Sequence, residues 1–446
     1  MGTARSARVE GDEGRVPGHP RGPPVTIFLD GKPVRAYEGE TVGAALHASG
    51  VAALSRSIKY HRPRGLFCCR GECAGCLMRV DGKPNLRTCM VPVAEGQRVE
   101  SQNAFPSARR DLLAVVDKVY RKDFDYHAKF TRPRFLVPAY HWVIRRMAGF
   151  GRVPDTPRRQ PRTRPIRILR PECVVVGAGA AGLAAAAGVA SAGRRVLVVE
   201  TAALAGGALL DHRGPLDGVA SGPALADRLE GEVRKGGGDL RVATPAVGRY
   251  PDGVLTALAP DGLLEVHARA LVVATGSHDV PPLFPGNDLP GVLSARGALT
   301  LLRRDGVLPG RRAVVLGEGA EAALAEAALR DAGVEVAAVV ARAAAAEGST
   351  RVQAVRLPDG ARVACDTLVA ASGRAPRPEI VQQTGCALRW DAAAGALVPV
   401  VDEDGASSVA GVWVCGDAAR PKPVAENVAE GRRCGRAVAR VLGGGA

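Results

Sequence analysis

The sequence predicts a multidomain α/β protein, a small N-terminal β-grasp module followed by a Rossmann-type fold with two dinucleotide-binding domains. Three observations predict it. Four cysteines with the spacing Cys-x4-Cys-x2-Cys-x12-Cys stand in a stretch that reads strand, strand, helix, loop, hairpin, strand. A strand, Gly-x-Gly-x-x-Gly, helix, strand and acid follow one another from Cys173. Two later apolar strands end in glycine turns, with a second and weaker strand-glycine-helix unit between them.

At 446 residues the chain is too long for one core. Residues 1–24 are polar and rich in Gly, Pro and Arg, and read as a disordered tail. Residues 25–105 form the β-grasp module. In it, strands 25–29 and 33–37 are joined by Asp30-Gly31, and Thr41 caps a helix over 41–49. Strands 77–80 and 86–90 turn at Asp81-Gly82, and 98–101 closes the unit. Residues 106–170 are a basic connector, helical over 111–120 and 141–147, with a Pro/Arg-rich linker from 154. Residues 171–292 begin the first dinucleotide-binding domain, 293–372 form the second, and 373–446 return to the first.

Cys68, Cys73, Cys76 and Cys89 carry the plant-type ferredoxin pattern for a [2Fe–2S] cluster. Gly71 and Gly75 let the intervening loop turn sharply and aim N–H groups at the sulfurs. Cys69 is a competing ligand, set aside because only Cys68 gives the x4 spacing. The same cysteines could instead hold zinc in a scaffold without catalysis. The remaining cysteines, Cys173, Cys365, Cys386, Cys415 and Cys434, are scattered and read as buried hydrophobes. No Cys-x-x-Cys lies in the nucleotide-binding part, which excludes dithiol chemistry there.

In the first βαβ unit Gly177 makes the turn and Gly179 lets a pyrophosphate approach the helix N-terminus. Gly182 allows helix and strand to pack closely, and Glu200 is placed for an adenosine ribose. The strands ending at Gly276 and at Gly416-Asp417 complete a flavoprotein-type pattern. In that pattern the Gly-Asp end reaches the ribityl chain and pyrophosphate of FAD, although NAD fits the same pocket. The second unit, with Gly317 and Gly319, is degraded. Ala322 replaces its third glycine, Glu318 and Glu321 stand where phosphates would sit, and Arg342 replaces the acid. It either binds NAD(P)H, making the chain a self-sufficient reductase, or keeps the fold without the binding.

The net charge of +15 is concentrated at one end. Residues 1–170 hold 32 Lys and Arg against 15 Asp and Glu, and the remainder 28 against 30. No nucleic-acid-binding module accompanies the excess, so a docking face for an acidic partner, or simple solvation of a linker, is the better reading. There is no signal-peptide pattern and no apolar run of membrane-spanning length, so a cytoplasmic protein without a membrane partner is expected.

The segment Ser55-Arg56-Ser57-Ile58-Lys59-Tyr60-His61-Arg62-Pro63-Arg64-Gly65 resembles the Lys-Tyr-His-Arg-Pro-Arg-Gly segment of heterotetrameric sarcosine oxidase alpha subunits. Relatives with the same segment ahead of ferredoxin cysteines are subunits of hydrogen cyanide synthase, opine oxidase and D-hydroxyproline dehydrogenase. Residues 124–135, 142–146 and 148–151 of the connector resemble the same group. So does Ala274-Thr275-Gly276-Ser277-His278-Asp279, leading to Phe284-Pro285-Gly286-Asn287-Asp288-Leu289-Pro290-Gly291-Val292. The resemblance implies an electron-transferring, FAD-dependent oxidoreductase subunit with a fused [2Fe–2S] domain. It further implies a D-amino-acid-oxidase-type partner subunit that oxidises a small amine or imino acid, with FMN shared with that partner as a further cofactor. No residue stands out as catalytic. His61 and His278 lie in the motifs and are the histidines to watch, although a lone histidine is more often structural.

Overall fold

The computed structural model describes residues 7–9, 11, 16, 20–115, 117, 131–147 and 164–444, without the side chains of 143–147. The connector segments at 124–130 and 148–151, and residues 116 and 118–120 of the helix expected over 111–120, lie outside these residues; Leu112–Ala114 form a short 3-10 turn. The chain forms two compact units, Met1–Pro157 with Pro281–Ser372, and Arg158–Val280 with Gly373–Ala446.

The first unit begins with the antiparallel pair β1 (Pro24–Leu29) and β2 (Lys32–Tyr37) and the helix α1 (Val42–Ala48). Thr41 caps α1 by accepting the Ala44 N–H at 3.3 Å. The hairpin β3 (Leu77–Val80) and β4 (Lys83–Arg87) follows, then β5 (Arg98–Glu100). Sheet order is β2-β1-β5-β3-β4, with β1 and β5 parallel at its centre. Alternation explains the register: Val25, Ile27, Met78, Val80 and Val99 are all buried. Strand β4 ends at Arg87, not at residue 90, so Cys89 lies in the turn after it. In the connector a helix α2 spans Val137–Met147, four residues longer at its start than expected.

The tail is not disordered where it is described. Ala7 N–H bonds Ala48 O at 3.1 Å, Val9 N–H bonds Gly306 O at 2.9 Å, and Val16 is buried. The cause is electrostatic. The Glu40 side chain is wholly buried, and Arg8 meets it with two nitrogens at 2.7 and 2.9 Å. Such a carboxylate needs a cation, and the polar tail supplies it.

The second unit carries a five-stranded parallel sheet. Its strands are β6 (Cys173–Val176), β7 (Val196–Val199), β8 (Asp239–Arg241), β9 (Ala270–Val273) and, from the chain's return, Val412–Val414. The order is β8-β7-β6-β9 and then Val412–Val414. Every residue of β6, β7 and β9 is buried, as a sheet covered on both faces requires. Helix α3 (Ala180–Ser191) is rich in Ala because the C-terminal helix Val424–Gly443 lies hard against it. A Cβ on Gly435 would meet Ala185 O at 2.3 Å. Part of the expected linker is a strand: Ile166–Leu169 pairs in parallel with Gly262–Val266 in a four-stranded side sheet.

The remainder of the first unit includes, beside a three-stranded antiparallel sheet, a second parallel sheet. It contains β10 (Val292–Ser294), β11 (Arg312–Leu316), β12 (Glu335–Val340) and β13 (Thr367–Ala370), in the order β10-β13-β11-β12. Helix α4 (Ala295–Arg303) follows β10 directly, and α5 (Ala320–Asp331) joins β11 to β12. One hydrophobic core runs from the β-grasp module into this domain. It holds Ile27, Leu46, Met78 and Val99 together with Leu293, Ala298, Val315 and Val369.

Candidate iron–sulfur and dinucleotide sites

The loop between the paired residues Pro63–Arg64 and strand β3 brings the first three cysteines together, and the turn after β4 delivers Cys89. Cys68, Cys76 and Cys89 are buried and Cys73 is partly exposed. Cys68 Sγ lies 3.4 Å from Cys73 Sγ. Cys68 also hydrogen-bonds Cys89, and Cys89 hydrogen-bonds Cys76. The four thiols are therefore linked in one chain, 73 to 68 to 89 to 76. Among the described residues no group of three or more His, Cys, Asp and Glu is placed to hold one metal ion. Four gathered cysteines are the donor set that would hold a [2Fe–2S] cluster.

Cys69 stands apart. Its backbone is left-handed (φ +51°), and its side chain is buried. Burial, with the nearby Cys68 charge, pushes its thiol well above the usual range. By contrast, hydrogen bonds from Cys73 and Cys89 hold Cys68 far below that range, and the bond with Cys89 lowers Cys76 to about 7. Those same bonds, with burial, push Cys73 and Cys89 up. Metal binding would displace the protons of these thiols. Backbone donors add to this, with Glu72 N–H 3.3 Å from Cys68 Sγ. The set fits the cluster expected of it.

The cysteine loop rests on the second nucleotide-binding domain. Ser294 caps α4 by accepting Gly297 N–H at 2.9 Å, and its own N–H bonds Phe67 O at 3.1 Å. A Cβ on Gly297 would lie 2.2 Å from Phe67 O, so only glycine permits the contact. Arg64 pairs with Asp288 at 2.8 Å, and a Cβ on Gly65 would lie 3.0 Å from Pro290. Two motifs far apart in sequence, 55–65 and 284–292, meet here.

In the second unit the candidate dinucleotide residues gather at the carboxyl edge of the parallel sheet, where ligands of such sheets bind. Gly177 turns at φ +104°, and a Cβ on Gly182 would lie 1.9 Å from Gly177 O. A Cβ on Gly179 would meet nothing within 4 Å, which leaves open space beside the N-terminus of α3. Gly276 follows β9 and Gly416 abuts Ala181 of α3. Glu200 accepts the Ala178 and Ala202 N–H groups, each at 2.7 Å, and keeps one lone pair per oxygen for a ribose.

Asp417 is the hub of a network the sequence did not reveal. It accepts Ser277 Oγ at 2.8 Å, Asn427 Nδ2 at 2.9 Å and Lys422 N–H at 3.1 Å, and pairs with Arg374. Asn427 is buried, and its Oδ1, 3.5 Å from where a Gly416 Cβ would stand, has no partner. An orphaned buried acceptor beside the Gly416 turn is what a site for a polar ligand shows. Ser277 lay in a recognised motif; Arg374 and Asn427 gave no local signal. His278 is half-buried in the short strand Ser277–Asp279, outside this network. His61 is buried, its Nδ1 2.9 Å from Asp111 Oδ2, and it pins the connector to the 55–65 segment.

Gly317 (φ +127°) and Gly319 (φ +79°) form the equivalent turn of the second domain, with Ala322 buried behind them. Glu318 and Arg342 are exposed, and Glu321 lies in the first turn of α5. A carboxylate there takes the favourable place at the helix N-terminus that a phosphate would use.

Residues 22–104 match a family model for a 2Fe-2S iron-sulfur cluster binding domain. Residues 171–346 and 312–431 match that of the pyridine nucleotide-disulphide oxidoreductases. The chain belongs to the pyridine nucleotide-disulphide oxidoreductase family. Its cofactors are a [2Fe–2S] cluster and FAD. This family member is 30% identical over 469 residues to the alpha subunit of sarcosine oxidase from Rhizobium meliloti, covering 95% of this chain and 46% of that one. An opine oxidase subunit of the same organism is 33% identical over 153 residues, 33% of each chain. The HcnA subunit of hydrogen cyanide synthase from Pseudomonas aeruginosa is 41% identical over 87 residues, 19% of this chain and 83% of that one. The chain spans less than half the length of the sarcosine oxidase alpha subunits it matches. The crystal structure of L-proline dehydrogenase from P. horikoshii shares the fold, with a TM-score of 0.75 over 97% of this chain and 76% of that one at 24% identity. No helix among the described residues is long and apolar enough to cross a membrane.

Proposed function

We propose that this chain is the electron-transferring subunit of a hetero-oligomeric oxidoreductase acting on a small amine or imino acid. Its partner would be a flavoprotein subunit of the D-amino-acid-oxidase type, where the substrate is oxidised. Cys68, Cys73, Cys76 and Cys89 would hold the cluster, and Gly177, Gly179, Gly182, Glu200, Gly276, Gly416 and Asp417 the FAD. When bound, these groups supply one-electron and two-electron carriage respectively. The residues of this chain position and insulate: α4 fixes the cysteine loop, and the Asp417 network fixes the turn at Gly416. The ten cysteines are all unpaired, which supports a reducing, cytoplasmic setting. Glu318 and Glu321 speak against a nicotinamide site in the second domain and so against a self-sufficient NAD(P)H reductase.

The observation that carries the reading is the gathering of the four thiols within a module whose core is continuous with a nucleotide-binding domain. Protein purified without oxygen should contain flavin, two irons and two acid-labile sulfides per chain, about the content of one [2Fe–2S] cluster. It should also give a low-temperature paramagnetic signal after dithionite. Cys73→Ser should lose the iron and keep the flavin, whereas Cys69→Ala should keep both. Iron-free wild-type protein, or iron lost from Cys69→Ala and retained in Cys73→Ser, overturns the assignment.

A further inference from the structure

Arg304, which caps the C-terminus of α4, also reaches the cysteine loop. Arg304 Nη2 donates to Cys69 O at 3.3 Å and to Cys89 O at 3.4 Å. On its far side the same guanidinium meets Asp305 Oδ2 at 2.9 Å. The Asp305 side chain is 1% exposed and faces Thr41, whose N–H lies 3.4 Å from Oδ1. The pair is thus an oriented dipole, its positive end on the backbone of two neighbouring cysteines and its negative end turned toward the start of α1. A largely buried cation in this place is not a solvated surface charge. It is supplied by the nucleotide-binding domain and belongs to the lining of the cysteine site.

We propose that Arg304 is a positioning residue that raises the reduction potential of the cluster, with Asp305 setting the size of its effect. The proposal rests on the cluster being held by the four cysteines named above. Reduction places one electron, taken from dithionite in a titration, on a group ringed by four thiolates. The added negative charge is favoured by a fixed cation nearby and disfavoured by an anion, more strongly in a poorly solvated site than in water. The two carbonyl contacts also hold the turn of Cys89 and the loop of Cys69 at one spacing.

The test is a reductive titration of the complete chain followed by paramagnetic resonance, with iron content measured on the same samples. At the wild-type midpoint, Arg304→Gln should lower the ratio of reduced to oxidised cluster about tenfold, a shift of roughly 59 mV to more negative potential for one electron. Arg304→Lys should stay close to wild type. Asp305→Asn, which leaves the cation unopposed, should shift the potential the other way. Unchanged potentials in iron-replete Arg304→Gln and Asp305→Asn overturn the proposal. If Arg304→Gln loses its iron, Asp305→Asn alone decides: a positive shift supports the proposal and none overturns it. Iron-free wild type would defeat the cluster assignment itself, an outcome separate from these.

Discussion

Cys68 and Cys69 are adjacent, chemically identical and both buried, yet their surroundings differ. Hydrogen bonds with Cys73 and Cys89 pull the Cys68 thiol down, whereas burial and the Cys68 charge push the Cys69 thiol up from a left-handed backbone. The glycines obey the same logic of space. Gly182→Ala would force a methyl to 1.9 Å from Gly177 O, a clash that two backbone segments cannot relax. It should cost about 3 kcal/mol, at the upper end for overpacking, and should abolish flavin retention. Gly179→Ala has room, so the folded chain should melt within a few degrees of wild type while its flavin affinity falls. Thermal denaturation and flavin content of both variants separate the two roles; equal melting losses would refute the distinction.

Helix α1 ties the β-grasp sheet to the second nucleotide-binding domain through His47. Its Nε2 lies 3.0 Å from Pro309 O, and burial lowers its pKa below the ordinary 6.5. The folded chain therefore resists a proton that the unfolded chain accepts. The stability this neutral imidazole contributes is complete above pH about 6.5 and is lost as the pH falls below that, toward the lowered folded value. Melting temperatures should drop between pH 7 and pH 5.5, and His47→Gln should flatten part of that drop. An equal drop in both proteins would exclude His47 as a source. The strands and helices themselves were legible in sequence, because alternation, a Thr cap and Asp-Gly turns are local signals. Ile166–Leu169 was not, since two Ile and a Leu among arginines resemble a strand only beside Gly262–Val266.

Across the whole molecule, the cofactor-bearing patterns were readable because each is a short run with a fixed spacing. What surrounds them was not. Arg8 bonds Glu40, Asn427 bonds Asp417 and Arg304 reaches Cys89 across 32, 10 and 215 residues, and no spacing rule announces such pairs. The largest thing the sequence concealed is the continuity of the core that holds Ile27 and Met78 together with Leu293 and Val369. A segment cut to residues 20–105 would expose the apolar side that Leu293, Ala295 and Ala298 cover. It should be poorly folded when expressed alone, with weak amide dispersion in its NMR spectrum. Sharp, dispersed resonances would show that the module is autonomous.

That continuity also separates this architecture from a tethered carrier. A carrier on a flexible arm delivers its charge by wandering, and its turnover slows when the solvent thickens. Here Phe67, Phe284 and Leu289 all pack on one apolar cluster of β10, β11 and β13, so the thiol loop is seated on the neighbouring sheet by solid contact. It has no arm on which to swing from that sheet, and syrupy buffer leaves its place there unchanged.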